Sequence, residues 1–188
     1  MRIIAGTARG RRLKSPTSNS IRPTGDRVRE SLFSMLGDLK GAVVVDAFAG
    51  TGALGLEALS RGAEKAYFFD VSKEAIETIE ENVRRVDVEQ RATVKRSDFI
   101  EGLVTTVTGT PDLFFFDPPY GSDRAARGLE AMIGQTETVT PGALVVWESG
   151  VDEELPRVAG FEVVDEREYG TTRLVFFRRL AYDDVNRS

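Results

Sequence analysis

The sequence predicts an α/β protein on a doubly wound, seven-stranded sheet, mostly parallel and ending in an antiparallel carboxyl-terminal hairpin. Three observations carry this reading. Between residues 42 and 148, short apolar runs of strand length alternate with stretches of helical periodicity. Those runs are near-continuously apolar, as strands covered on both faces are. The last two runs are joined only by Tyr169-Gly170-Thr171-Thr172, too short for a crossover helix, so they should pair antiparallel.

The elements follow in order. Residues 1–25 read as a basic arm or small extension, with the linker-like Ser15-Pro16-Thr17-Ser18-Asn19-Ser20 inside it. From Asp26 to Leu36, apolar Val28, Leu32, Phe33, Met35 and Leu36 recur at helical spacing, and Gly37 is the stop. Residues 42–47 form a strand, apolar until Asp46, and 53–61 a helix closed by Gly62. Strand 65–70 and the amphipathic helix 73–86 come next, then strand 92–95 and helix 99–107. Strand 112–117, helix 124–133 and strand 143–148 complete the alternation, and strands 161–166 and 173–178 make the hairpin. Residues 26–180 are thus one domain, and 181–188 an expected disordered tail. In a Rossmann-like sheet of this kind ligands bind at the carboxyl ends of the strands. Asp46, Asp70, Asp98 and Asp117 all fall at or just after such ends and should face one crevice.

Composition narrows the chemistry. With 41% hydrophobic and 29% charged residues the chain reads as an ordinary globule. It has no cysteine and no histidine, which removes disulfides, thiol nucleophiles, imidazole metal sites and any Ser-His-Asp triad. No acid cluster suggests a metal, so none is expected. The first residues lack the apolar core of a signal peptide and no stretch approaches a membrane span, so a cytoplasmic location is expected. The net charge of −5 conceals an asymmetry: residues 1–29 hold eight basic side chains against Asp26 alone, a net of +7, leaving −12 for the remainder. A basic arm on an acidic body suits a polyanion gripped at one face, through Arg9, Arg11, Arg12, Lys14 and Arg22. A solvated tail accounts for the same charges.

Two motifs carry function. The run Leu113-Phe114-Phe115-Phe116 ends in Asp117-Pro118-Pro119-Tyr120. Proline cannot donate to a ladder, so the tandem ends the strand and stiffens its tip. Asp117 and the Pro118 carbonyl become two acceptors beside the Tyr120 ring, which suits a flat group bearing an NH₂, such as a nucleobase. A plain capped turn is the alternative. The phenylalanines themselves read as core.

The second motif is Asp46-Ala47-Phe48-Ala49-Gly50-Thr51-Gly52-Ala53-Leu54-Gly55, a Gly-x-Gly-x-x-Gly turn with Asp70 twenty residues beyond Gly50. The spacing matches a dinucleotide fingerprint. Asp46, however, four residues ahead of Gly50, should sit at the mouth of the site, where it would repel a pyrophosphate and attract a cation. S-adenosylmethionine fits the acids in order: Asp46 toward the cationic end, Asp70 on the ribose hydroxyls, Asp98 on the adenine amine. NAD remains the competing ligand, and helix capping the competing role for Asp98. The expected cofactor residues are Asp46, Phe48, Ala49, Gly50, Thr51, Gly52, Gly55, Asp70, Val71, Asp98 and Phe99. Trp147 and Glu148 end the fifth strand and read as packing with a local hydrogen bond.

Residues 46–57 followed by Asp117-Pro118-Pro119-Tyr120 resemble the amino-methyltransferases, class I S-adenosylmethionine enzymes that modify exocyclic or amide nitrogens. More narrowly, Gly6-Thr7-Ala8-Arg9-Gly10-Arg11, Arg22-Pro23-Thr24, Arg27-Val28-Arg29-Glu30-Ser31-Leu32-Phe33, the glycine loop through Ala58, and Ser60-Arg61-Gly62-Ala63 resemble the RsmD family. The resemblance spans residues 2–179. It implies the class I methyltransferase fold and methylation of a guanine exocyclic amine (N2) in 16S ribosomal RNA, free or within the small subunit or an assembly intermediate. Catalysis would fall to Asp117, Pro118, Pro119 and Tyr120: two acceptors draw the amine toward tetrahedral geometry, and Tyr120 stacks an unpaired or flipped base. The Asp-Pro-Pro-Tyr motif is shared with DNA adenine methyltransferases, so adenine-N6 methylation of DNA stays open, as does a non-catalytic nucleotide- or RNA-binding module.

Overall fold

A computed structural model describes residues 1–15, 25–118 and 123–181. The elements run α1 (Asp26–Leu36), β1 (Val43–Asp46), α2 (Ala53–Ser60), β2 (Lys65–Asp70), α3 (Lys73–Val86), β3 (Ala92–Arg96) and α4 (Phe99–Thr105). They continue with β4 (Leu113–Phe116), α5 (Arg124–Ile133), β5 (Leu144–Gly150), β6 (Phe161–Tyr169) and β7 (Thr172–Arg179). A single 3₁₀ turn, Glu89–Arg91, leads into β3.

All seven strands share one sheet in the order β3-β2-β1-β4-β5-β7-β6. The first five are parallel, and β7 runs antiparallel to both β5 and β6. The predicted hairpin is therefore present, with β7 inserted between β5 and β6. The order turns at β1 and β4, where the windings part and open the crevice of a doubly wound sheet. Register brings Asp46 level with Phe115 of β4 and Phe68 of β2, so the strands end nearly in line.

Side chains alternate between two cores, as the period of two requires. Val44, Ala66, Phe68, Leu113, Phe115, Val146, Leu174 and Phe176 face α1, α2 and α3. Val45, Tyr67, Phe69, Phe114, Phe116, Val145, Trp147 and Phe177 face α4 and α5. The three-phenylalanine run is entirely buried between these layers, as burial tendency predicts.

Residues 1–15 form a folded hairpin. Arg2 and Arg12 make an antiparallel bridge, and Ile3 N–H donates to the Arg11 carbonyl at 3.0 Å. Ile3, Ala8 and Leu13 enter the core under α1, α2 and α3. Glu57, wholly buried on α2, accepts from the Ile4 and Ala5 amides at 2.8 and 3.0 Å and pairs with Arg61 at 2.8 Å. Ser60 Oγ accepts the Ala8 N–H at 3.0 Å. Arg29 on α1, also buried, donates to the Arg2 carbonyl at 2.6 Å. Three helices thus grip the hairpin, while Arg9, Arg11, Arg12 and Lys14 stay exposed.

Candidate functional site

The turn from β1 into α2 is shaped by its glycines. Gly50 and Gly52 adopt φ of 54° and 75°, left-handed values that side-chain-bearing residues rarely take, and Gly52 caps α2. Gly55 is glycine for another reason. A Cβ there would stand 2.3 Å from the Phe68 ring, so its absence lets α2 lie against β2. Gly55 thus serves close helix–sheet packing, as the third glycine of such turns does.

Two of the predicted acids hold this loop. Asp70 Oδ2 accepts the Gly50 N–H at 3.0 Å and Asp70 Oδ1 the Ser72 N–H at 2.8 Å. Its carboxylate therefore ties the glycine turn to the start of α3. Asp46 is not at the open mouth of the site but beneath the loop, 2% exposed, because its Oδ2 accepts the Gly55 N–H at 3.0 Å. Burial pushes the Asp46 carboxyl up to about 7; the Asp70 charge adds to the rise and the Gly55 N–H opposes it. At neutral pH this group is poised between charge states.

The remaining cofactor candidates divide. Val71 is an apolar side chain left 52% exposed beside Asp70, as a surface for a flat ring would be. Asp98 is exposed and caps α4, its Oδ1 accepting the Ile100 N–H at 3.0 Å. The capping role is therefore present, and Asp98 lies just beyond β3 on the same sheet edge. Phe99 points into the core, its ring centroid 4.9 Å from that of Phe116 and tilted 71° to it, so only its main chain can serve a ligand. Phe48 is half-buried and meets Phe116 edge-on at 5.7 Å. Ala49 is buried, its N–H donating to the Phe69 carbonyl at 2.9 Å. Thr51 is buried too, its hydroxyl 3.8 Å from Met1 Sδ and its carbonyl accepting from Asn82 at 2.9 Å.

Asp117 follows β4 directly and is half-buried, with Pro118 buried behind it. Its carboxyl is held well above the usual carboxylate range, first by desolvation, then by the charges of Glu148 and Asp46. Strand register explains the trio, since Phe116 pairs with Trp147 and sets Glu148 beside Asp117 on the next strand. Glu148, expected to pack and make a local hydrogen bond, is in addition an electrostatic neighbour of Asp117. Three acids from β1, β4 and β5 thus converge on one end of the sheet. A carboxylate kept basic in this way is a strong acceptor for an amine proton. Pro119, Tyr120 and Arg22 lie outside the described residues. Among the described residues no group of three or more acids could hold a metal ion, and no helix is long and apolar enough to cross a membrane.

Sequence reasoning passed over Glu57 and Asn82 as site-supporting residues. The signal for Glu57 is a lone charge in an otherwise uncharged eight-residue helix; for Asn82 it is an amide on the buried stripe of α3.

With this geometry in view, the likenesses to other proteins become informative. A family profile described as "Conserved hypothetical protein 95" matches residues 1–178. The ribosomal RNA small subunit methyltransferase D of Escherichia coli K12 is 37% identical over 188 residues, covering 96% of this chain and 91% of that protein. Its Haemophilus influenzae namesake is 33% identical, covering 95% and 92%. Among solved structures, the yhhF protein of Escherichia coli superposes with a TM-score of 0.83 at 32% identity, over 96% of this chain and 98% of that one. An RNA methyltransferase from Salinibacter ruber, in complex with S-adenosyl-L-homocysteine, shares the fold at 14% identity and a TM-score of 0.65, over 85% of this chain and 94% of that one. The sheet is therefore that of the class I methyltransferases.

Proposed function

The chain belongs to the RsmD family, and from that premise we propose that it is an S-adenosylmethionine-dependent enzyme methylating the exocyclic N2 amine of a guanine in small-subunit (16S) ribosomal RNA. The observation that carries the reading is the meeting of Asp117, Asp46 and Glu148 beside the glycine loop. A base-binding tip and a cofactor loop share one sheet edge.

The residues suit the cofactor. Gly50 and Gly52 let the turn approach a ligand closely, Asp46 offers a buried negative charge to its cationic end, Asp70 a carboxylate to its ribose hydroxyls, and Val71 an apolar surface to its adenine. When bound, S-adenosylmethionine supplies an activated methyl group on a positively charged sulfur. The rest of the chemistry is alignment. A nucleobase amine is a poor nucleophile because its lone pair is delocalised into the ring. Asp117 and the Pro118 carbonyl accept hydrogen bonds from its two N–H groups, draw the nitrogen toward tetrahedral geometry and free the lone pair. The raised proton affinity of Asp117 strengthens that acceptor, and Tyr120 stacks the base. Exposed Arg9, Arg11, Arg12 and Lys14 hold RNA phosphates, and Arg22 extends the same set.

The test is incubation with labelled S-adenosylmethionine and, in separate arms, deproteinised 16S rRNA, assembled small subunits, or DNA, with mass spectrometry of the digested nucleosides. N2-methylguanosine from either RNA arm is expected. Label in N6-methyladenine of DNA would establish the DNA enzyme instead, and no transfer to any arm a binding module. Asp117→Ala should lose nearly all transfer while keeping cofactor affinity within a few-fold by titration calorimetry. Equal turnover in variant and parent would sink the mechanism.

A further inference from the structure

We propose that Asn82 is a positioning residue that ties the glycine loop to the basic hairpin, so that a ligand in the loop and RNA on the hairpin strengthen each other's binding. The inference rests on the function proposed above. Asn82 lies on α3 with no exposed surface. Its carboxamide makes three hydrogen bonds, all to main chain. Nδ2 donates to the Thr51 carbonyl at 2.9 Å and to the Lys14 carbonyl at 3.1 Å, and Oδ1 accepts the Lys14 N–H at 2.6 Å.

These partners belong to the two surfaces the reaction needs. Thr51 sits between Gly50, whose N–H rests on Asp70, and Gly52, which caps α2. Lys14 closes the hairpin that carries Arg9, Arg11 and Arg12. The amide satisfies both polar groups of Lys14 as a neighbouring strand would, and spends its other N–H on the loop. A buried amide joined at both ends transmits displacement, because a shift of either partner leaves a polar group unpaired. The Thr51 hydroxyl near Met1 Sδ, at 3.8 Å, is a second contact between the same two segments. Glu57 and Ser60 also grip the hairpin, but through residues 4–8 and without touching the loop. They supply a control for mere docking.

Coupling of this kind is reciprocal: each ligand must change the other's affinity by the same factor. S-adenosylhomocysteine and deproteinised 16S rRNA are the probes, each titrated with and without the other. In the parent protein each should tighten the other by on the order of tenfold. Asn82→Asp keeps an acceptor for the Lys14 N–H and loses both N–H donors. It should still bind each ligand alone, with the coupling factor reduced to about one. Ser60→Ala should lower the melting temperature and leave the coupling intact. Amide exchange at Lys14 in the parent protein, slowed by S-adenosylhomocysteine, reads the same link with no variant and decides the matter if Asn82→Asp fails to fold. Independent binding in the parent, coupling retained in folded Asn82→Asp, or Lys14 exchange indifferent to the nucleoside would each overturn the inference. Failure to bind either probe would instead overturn the proposed function, and the coupling with it.

Discussion

Asp46→Asn is expected to abolish a pH dependence that the parent protein carries in both stability and cofactor affinity. Asp46 is 2% exposed, and its carboxyl is raised from 3.8 to about 7, chiefly by desolvation. A rise of about three pH units corresponds to roughly 4 kcal/mol between the two charge states. The sign follows from linkage. The folded protein holds this proton more tightly than the unfolded chain, so stability is complete below pH 3.8, falls as pH rises toward 7, and levels off above it. Asparagine carries no such proton, and its oxygen can still accept the Gly55 N–H. At pH 8 the variant should regain up to roughly 4 kcal/mol, less about 1–3 kcal/mol if its buried NH₂ finds no partner. A cationic ligand reverses the preference by favouring the carboxylate. Below pH 7, binding of S-adenosylmethionine should therefore release a proton and weaken about tenfold for each unit of acidification. Titration calorimetry from pH 5 to 8, in buffers of different ionisation enthalpy, measures both affinity and protons released. Urea unfolding over the same range measures stability. A flat affinity profile in the parent, or the same slope in Asp46→Asn, would refute the reasoning.

Other outcomes are expected from the same geometry. Asp70→Ala should weaken cofactor binding by about 1.5–3 kcal/mol for each charged hydrogen bond lost, with turnover at saturating cofactor falling much less; calorimetry beside a turnover assay checks it. Glu148→Gln removes one of the charges that raise Asp117, so the acid limb of the rate profile should move to lower pH, since transfer needs the Asp117 carboxylate. Replacing Arg9, Arg11, Arg12 and Lys14 by glutamine should raise the Michaelis constant for RNA and flatten its salt dependence, because fewer counterions are released. Melting should change little, as these side chains are exposed and, among the described residues, only Arg11 is seen to bond elsewhere in the fold, to the Arg85 carbonyl at 2.9 Å.

Periodicity made the sheet legible. Strand 65–70 and helices 26–36, 73–86 and 124–133 begin and end where the apolar pattern and its stops place them. The position of β7 was not legible, because a two-residue turn fixes which strands pair but not which of them also pairs with β5. The acids at the strand ends were legible as a set, since every parallel strand ends on the same side. Their individual surroundings were not. Whether Asp46 faces the opening or lies under the loop depends on how closely α2 approaches β2, and that is set by Gly55 against Phe68, a contact thirteen residues apart in the chain. Asp98 and Phe99 show the same limit: the start of α4 is plain in the sequence, but the ring of Phe99 turns inward to Phe116.

The amino-terminal hairpin was the least legible part, for a physical reason. Its charges mark it as solvated, and only Ile3, Ala8 and Leu13 lie buried among them, at spacings that match neither helix nor strand. What fastens it is main-chain hydrogen bonding to side chains on three helices: Arg29, Glu57, Ser60 and Asn82. Such bonds leave no trace in the hairpin's own sequence, because any residue but proline supplies the same N–H and C=O. They show instead in the partners, as polar groups buried where packing alone would favour apolar ones. The hairpin's exposed cations are thereby presented on a fixed frame. If RNA is held there as proposed, such a frame presents its cations without ordering a chain at each encounter, so less entropy would be lost on binding.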